Sequence, residues 1–439
     1  HTMHCNEDQC RAIERALCAR DYALILGMPG TGKSSTIAVL VRILVELGQR
    51  VLLCSHTHSA VDTIVSKLLD APVLRLGPLS RVHPRVHACT LTARLGTCAT
   101  SEEVVQVVAE AQVVAATCLG TSDAVLARRA FDVCIIDEAS QITVPTCLGP
   151  LRLADRFVMI GEHHQLTPLV RDTDAAQHGM SVSLFQRLCK AHPSSVAMLC
   201  TQYRMNADIM ALSNALVYDG RLVCGNESVA CAQFTMKRDA CPSWLWDVLD
   251  PARPAVFVDT DAVKAVESRA DTLVENRVEA EWIVRMSDVL IQANVAAADI
   301  GILTPYRQQA KLLRDRCACE VLTVDQAQGR DWPVVLVSLV RSNKTHTVGE
   351  LLRDQRRVNV MITRAKTKLV LVGSYSTMIH GPCTEPMPAL LPLLRMIQPN
   401  EPADIPVHVS PGRQRYVKKA RLPTPVVTDL LNEQDCIAE

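Results

Sequence analysis

Residues Gly27-Met28-Pro29-Gly30-Thr31-Gly32-Lys33-Ser34, followed by Ser35, have the spacing GxxxxGK[ST] of a polyphosphate-binding loop. Glycines let successive backbone N–H groups turn toward one anion. Lys33 would neutralise its outer phosphates, and the Ser34 hydroxyl would ligate Mg²⁺. A second constellation, Asp137-Glu138, closes the run Phe131-Asp132-Val133-Cys134-Ile135-Ile136. In hydrolysis Asp137 would hold the Mg²⁺ shell, and Glu138 would orient and deprotonate the attacking water. Paired acids at a strand end also occur as a solvated turn. The phosphate loop in the same chain weighs against that reading.

The loop needs a strand before it and a helix after it. Tyr22-Ala23-Leu24-Ile25-Leu26 is an apolar strand, and Ile37, Leu40, Val41 and Leu44 recur at helical spacing between Lys33 and Leu47. The run ending at Asp137 is apolar from Val133 to Ile136, as for a parallel strand covered on both faces, and ligands bind beyond the carboxyl ends of such strands. Further strands are predicted at 51–55, 112–117, 157–161, 255–259, 299–304, 333–340 and 368–373. An amphipathic helix is predicted around Val278, Trp282, Met286 and Val289. The segment 221–253 reads as loop-rich. Two α/β units of about 200 residues follow, joined near Ser195 to Gln202. The expected division is a first lobe at 1–198, a second at 199–397 and a Pro-rich tail at 398–439 without fixed structure. The tail's basic cluster, Arg413, Arg415, Lys418, Lys419 and Arg421, fits a solvated charge run better than a nucleic-acid contact.

A length of 439 residues and a 48% hydrophobic fraction permit two large cores. The sequence shows no signal-peptide core and no run long enough for a membrane span, so a soluble protein without a membrane partner is expected. His1-Thr2-Met3 are set aside from the fold reading. The 18 cysteines are scattered without a C-x-x-C pair, which favours buried free thiols in an intracellular reducing compartment. Lys plus Arg equals Asp plus Glu at 46 each, so any nucleic-acid surface must be a local patch. Aromatics at 3% argue against an extensive base-stacking platform.

One phosphate loop for two lobes implies a different task for the second. Groups from it would close on the γ-phosphate of a nucleotide held in a cleft. Gln202-Tyr203-Arg204-Met205 and Arg356 to Lys366 carry arginines among apolar or small residues. A buried arginine requires an anion, so either a structural ion pair or a catalytic partner is expected.

Taken together and in order, the motifs closely resemble superfamily 1 helicases of the 5′-to-3′ branch, from about Asn6 to Met396. Beyond the two nucleotide motifs these are Ser55-His56-Thr57-His58-Ser59-Ala60-Val61-Asp62, Ala116-Thr117-Cys118-Leu119-Gly120, Gly161-Glu162-His163-His164-Gln165-Leu166, Gln202 to Met205, Thr323-Val324-Asp325-Gln326-Ala327-Gln328-Gly329-Arg330-Asp331, and the Arg364 segment. Within that branch, Asp21-Tyr22, the His-Thr-His-Ser-Ala-Val-Asp string and Thr347-Val348-Gly349-Glu350-Leu351-Leu352 look most like the replication helicase/nucleases that process Okazaki-fragment flaps. The RNA helicases of nonsense-mediated decay are a more distant likeness.

The resemblance implies an α/β fold of two tandem RecA-like (P-loop NTPase) lobes with parallel sheets and an ATP cleft between them. It also implies a role for each matched position. Gln9 would read the adenine edge, Tyr203 would stack on the base, and Asp331 would approach the ribose. Gln165 would couple water and γ-phosphate to lobe closure, and Arg204 and Arg364 would serve as arginine fingers. His56, Thr57, Ser59, Thr117, Thr304 and Thr323 would hold a single strand by its phosphates. For each of these the competing reading is a cap on the helix that follows.

Glu162 replaces the family's usual Asp and Thr167 its usual Pro, which predicts at most weakened coupling. The family's nuclease domain and the small barrel before the first lobe have no counterpart here. No nuclease activity and impaired translocation are therefore expected. The implied activity is Mg²⁺-ATP-driven 5′-to-3′ movement on single-stranded DNA in the nucleus or mitochondrion, alongside replication and repair proteins such as a single-strand-binding protein. RNA as substrate, a non-hydrolysing nucleotide-binding scaffold and a small-molecule kinase remain as alternatives.

Overall fold

The computed structural model describes residues 5–96, 100–127, 129–263, 265–270, 273–379, 390, 393–394 and 418–421. The chain forms two compact units, His1–Gln202 and Tyr203–Glu439.

The first unit is built on seven strands: β1 (Tyr22–Gly27), β2 (Val51–Ser55), β3 (Val73–Arg75), β4 (Val113–Thr117), β5 (Phe131–Ile136), β6 (Ala154–Gly161) and β7 (Val196–Leu199). They lie in the order β3-β4-β2-β5-β6-β1-β7, all parallel. Alternate side chains serve opposite faces. Ala23, Ile25, Val51, Leu53, Val133 and Ile135 pack with α1 (Glu7–Cys18), α2 (Lys33–Glu46) and α3 (His58–Val65). Leu24, Leu26, Leu52, Cys54, Cys134 and Ile136 pack on the other face with Val108, Cys147 and Phe185. Burial on both sides is why these strands read as unbroken apolar runs. Each buried Leu or Ile contributes roughly 1.5–3 kcal/mol relative to exposure.

The second unit has six strands in its large sheet: β8 (Ala255–Asp259), β9 (Ile300–Thr304), β10 (Glu320–Thr323), β11 (Trp332–Ser338), β12 (Ala365–Gly373) and β13 (Lys418–Arg421). Their order is β10-β9-β11-β12-β8-β13, again parallel. The helix Arg277–Gln292 lays Trp282, Ile283, Met286 and Leu290 on Val256, Ile302, Leu336 and Val370. Trp282 also meets Trp244 edge to face, with ring centroids 5.7 Å apart.

Four departures from the sequence reading stand out. Val196–Leu199, read as part of a junction, is a strand paired with β1. β3 and β10 were not anticipated. The segment read as loop-rich contains the helix Ser243–Leu249, which buries Leu245, Val248 and Leu249. In the tail, expected to lack fixed structure, Lys418–Arg421 pair with β8. Arg413, Arg415 and the rest of the tail lie outside the described residues. No helix among the described residues is long and apolar enough to cross a membrane.

Candidate nucleotide and nucleic-acid sites

β1 delivers Gly27 to the start of the phosphate loop, and α2 begins at Lys33. Gly32 stands at the head of α2 with φ +79°, and no side chain caps this helix. The left-handed turn suits glycine, and a Cβ there would come within 2.7 Å of Gln9 Nε2. An uncapped helix start directs backbone N–H groups and the positive end of the helix dipole at one point, which is an anion site. Gly27 gives the Lys33 stem room to fold back over the loop. The Lys33 ammonium donates to Gly27 O at 2.7 Å and Met28 O at 3.3 Å. Thr31 is buried and donates to Met28 O at 2.7 Å, bracing the turn from within. Pro29 and Gly30 complete that turn, with Gly30 at φ +74°, and Ser34 and Ser35 occupy the first turn of α2.

Gln9 is buried against this loop. Its Nε2 donates to Thr31 O at 3.0 Å, and its Oε1 accepts from Asn6 N at 3.2 Å in a capping box that starts α1. The residue expected at the adenine edge thus also braces the phosphate loop.

Asp137 follows β5, and its backbone N–H donates to Cys54 O at 2.8 Å. Its carboxyl is buried, and Oδ1 has no hydrogen-bond partner. Burial pushes this carboxyl up from its ordinary value, and Lys33 pulls in the opposite direction. A buried acceptor beside a phosphate loop suits a hard cation. Glu138 adopts φ 53°, ψ 33°, a left-handed turn uncommon for a non-glycine residue that Asp219 and Asn294 also adopt. Its Oε2 accepts from Gln141 Nε2 at 2.8 Å. Gln165 is buried. Glu162, the departure from the family pattern, accepts the His164 N–H at 2.8 Å, and the Ser140 hydroxyl accepts the Glu162 N–H.

The charged cluster of the second unit is organised differently. Arg204 Nη2 lies 2.8 Å from Asp331 Oδ2, and Lys366 Nζ lies 2.7 Å from Asp331 Oδ1. Burial would raise the Asp331 carboxyl, yet Arg204, Lys366 and Arg364 hold it below its ordinary value. Arg364, almost wholly buried, donates to Val360 O, Arg330 O and Thr363 Oγ1 at 2.9–3.0 Å. Asp331, expected near a ribose, is therefore the anion that Arg204 requires. No local pattern in the sequence marks Lys366 for this role, because its partner lies 35 residues earlier. Tyr203 is 43% exposed, with its ring packed over Gly225.

Of the residues expected to hold a strand, His56 and Thr57 are exposed in the loop after β2, and Ser59 is exposed in the first turn of α3. Thr57 also caps α3 by accepting the Ala60 N–H at 3.2 Å. Thr117, at the end of β4 beside Ser55, accepts the Gly120 N–H at 3.1 Å. Thr323 is buried next to Thr304 at the ends of β10 and β9. Thr304 departs from expectation. It has no exposed surface, and its hydroxyl accepts from Tyr306 N, so as placed it offers nothing to a strand. The scattered cysteines also converge, since burial together with Cys118 and Cys134 pushes the Cys54 thiol well up.

Two family models, each described as an AAA domain, match this chain, one over residues 4–103 and 94–172 and the other over residues 180–376. Human DNA replication ATP-dependent helicase/nuclease DNA2 is 44% identical over 411 residues, covering 88% of this chain and 38% of that protein. The Arabidopsis thaliana helicase/nuclease JHS1 is 45% identical over 385 residues, covering 86% of this chain and 29% of that protein. Among solved structures, the PRRSV helicase overlaps 84% of this chain and 54% of its own, at 16% identity and a TM-score of 0.43. The chain thus spans less than two-fifths of the human and plant relatives. Within that span, the phosphate loop, the Asp137-Glu138 strand end and the sequence identity agree, and the chain is homologous to the helicase region of the DNA replication ATP-dependent helicase/nucleases.

Proposed function

We propose that this chain is a Mg²⁺-ATP-driven motor that moves 5′ to 3′ along single-stranded DNA. The observation that carries the proposal is the first unit's pairing of an uncapped, glycine-fronted α2 with a buried Asp137 oxygen that has no protein partner. The first fits a triphosphate and the second fits its Mg²⁺. Lys33 would leave the loop carbonyls for the β- and γ-phosphates, Ser34 and Asp137 would hold the metal shell, and Glu138 would take the proton of the attacking water. Gln165, Arg204 and Arg364 are assigned by family likeness to sensing and stabilising charge on the γ-phosphate, and Tyr203 to the base. In this reading Arg204 exchanges Asp331 for phosphate oxygens during turnover. Strand contacts are assigned to His56, Thr57, Ser59, Thr117 and Thr323.

The same proposal extends to a nuclear or mitochondrial role in replication and repair with single-strand-binding partners, and the relatives' replication names support it. RNA as track is the second reading, since phosphate contacts do not distinguish the sugars and 2′-hydroxyl contacts would. The test is ATP hydrolysis without nucleic acid, with single-stranded DNA and with RNA of matched sequence, using Lys33→Ala as the blank. Stimulation mainly by DNA is expected. Equal stimulation by RNA would overturn the DNA assignment, and no hydrolysis under any condition would overturn the motor.

A further inference from the structure

A buried ion pair adjoins His58 at the start of α3 in the first unit. Arg75 ends β3 with no exposed surface, although it interrupts the apolar string Val73-Leu74-Arg75-Leu76. Its Nε donates to Asp62 Oδ1 at 2.7 Å, and Nη1 donates to the Leu76 carbonyl. The second Asp62 oxygen accepts the His83 N–H at 2.8 Å. Asp62 belongs to α3, so this pair fixes the helix that begins with His58 to the end of β3. One guanidinium nitrogen remains. Nη2 lies 3.0 Å from Nδ1 of His58, the first residue of α3.

That contact has one chemical solution. A guanidinium has only donors, so His58 Nδ1 must accept, and a ring that accepts at Nδ1 carries its proton on Nε2 and no charge. The His58 ring is also confined by Gly77, whose φ of +142° and lack of a Cβ leave room for it. The ring is half-buried. Burial, then Arg75 and Arg81, push His58 below its ordinary value, against an opposing pull from Asp62. β3, β4 and β2 are neighbours and parallel, so Arg75, Thr117 and His58 share the carboxyl-terminal edge of the sheet, where open α/β sheets bind ligands.

We propose that Arg75 is a positioning residue for nucleic acid, fixing His58 as the uncharged Nε2–H tautomer so that the ring offers one neutral N–H donor to a backbone phosphate of bound single-stranded DNA. This rests on the reading of residues 56–59 as a strand-holding segment. A fixed neutral donor grips one phosphate without adding charge, so its contribution does not depend on releasing a counterion. Asp62 balances the Arg75 charge internally and keeps it from acting as a second, competing cation.

The test uses the full chain, an oligothymidylate with a fluorescent end, and salt from 50 to 200 mM. His58→Ala is expected to weaken binding about tenfold at every salt concentration, leaving the slope of log affinity against log salt unchanged. Arg75→Lys, which retains the charge opposite Asp62 but loses the contact with His58, is expected to weaken binding similarly. The double variant should bind no more weakly than His58→Ala. Nitrogen-15 spectra of the His58 ring should show the Nε2–H tautomer in wild type and its loss in Arg75→Lys. A slope shallower by about 0.7 in His58→Ala would mean that a charged ring had contacted phosphate, and would overturn the proposal. Wild-type affinity in His58→Ala would overturn it while leaving the strand-binding reading intact, and failure of the wild type to bind would overturn both.

Discussion

The two units treat their charges in opposite ways. In the first, two groups at the phosphate loop lack a side-chain partner. α2 starts uncapped, and the Asp137 oxygen is buried without a hydrogen bond. In the second, the cations already have protein partners, with Asp331 bridging Arg204 and Lys366 and Arg364 bound to carbonyls. On the proposed reading the first unit is a largely preformed site, in which Lys33 must still leave its carbonyls, and the second holds its charges in reserve. Any action of Arg204 on a nucleotide requires a change of partner, so it is suited to a transient step rather than to ground-state binding.

The largest expected effect breaks the first side of this comparison. Lys33→Ala should lower ATP turnover to background, a loss of at least about 10³-fold, measured as phosphate release with saturating single-stranded DNA. Asp331→Asn should sharpen the second side. It removes the charge that holds Arg204 and Lys366, and because the trio is part-exposed the loss of stability is about 1–2 kcal/mol, read from a urea midpoint. If the reserve account holds, the ATP KM in Asp331→Asn changes less than kcat does.

A separate effect, on the pH dependence of stability, concerns Glu279, which has no exposed surface and accepts from Ser338 Oγ and Val340 N at 2.7 Å. Burial pushes its carboxyl up to about 8. The folded chain therefore holds this proton where the unfolded chain releases it. Stability is lost as pH rises from the ordinary carboxyl range to about 8 and is level above that. Glu279→Gln should flatten the urea midpoint across that window, while a slope equal to wild type would assign the pH dependence elsewhere.

Legibility in the sequence followed burial geometry. β1, β2, β5 and β9 are apolar on both faces and announce themselves as unbroken runs, and the phosphate loop is a contiguous pattern. β3 was hidden because Arg75 breaks a three-residue run, and its compensation, Asp62, lies on a different element. β7 was hidden by its shortness and its position at the sheet edge. The pairing of Arg204 with Asp331 links residues 127 positions apart, and no local pattern encodes such a distance. The sequence required an anion for Arg204 but left open whether protein or ligand supplied it. Likewise the cysteines looked scattered because Cys54, Cys118 and Cys134 meet only when β2, β4 and β5 line up.

The central claim is that Glu138, held in its left-handed turn, is the base of an ATP-hydrolysing site. The direct measurement is Glu138→Gln with ATP affinity and the single-turnover hydrolysis rate determined on the same preparation. Affinity within a few-fold of wild type and a rate lower by about 10²–10⁴ is the predicted result. Undiminished hydrolysis in Glu138→Gln would contradict it.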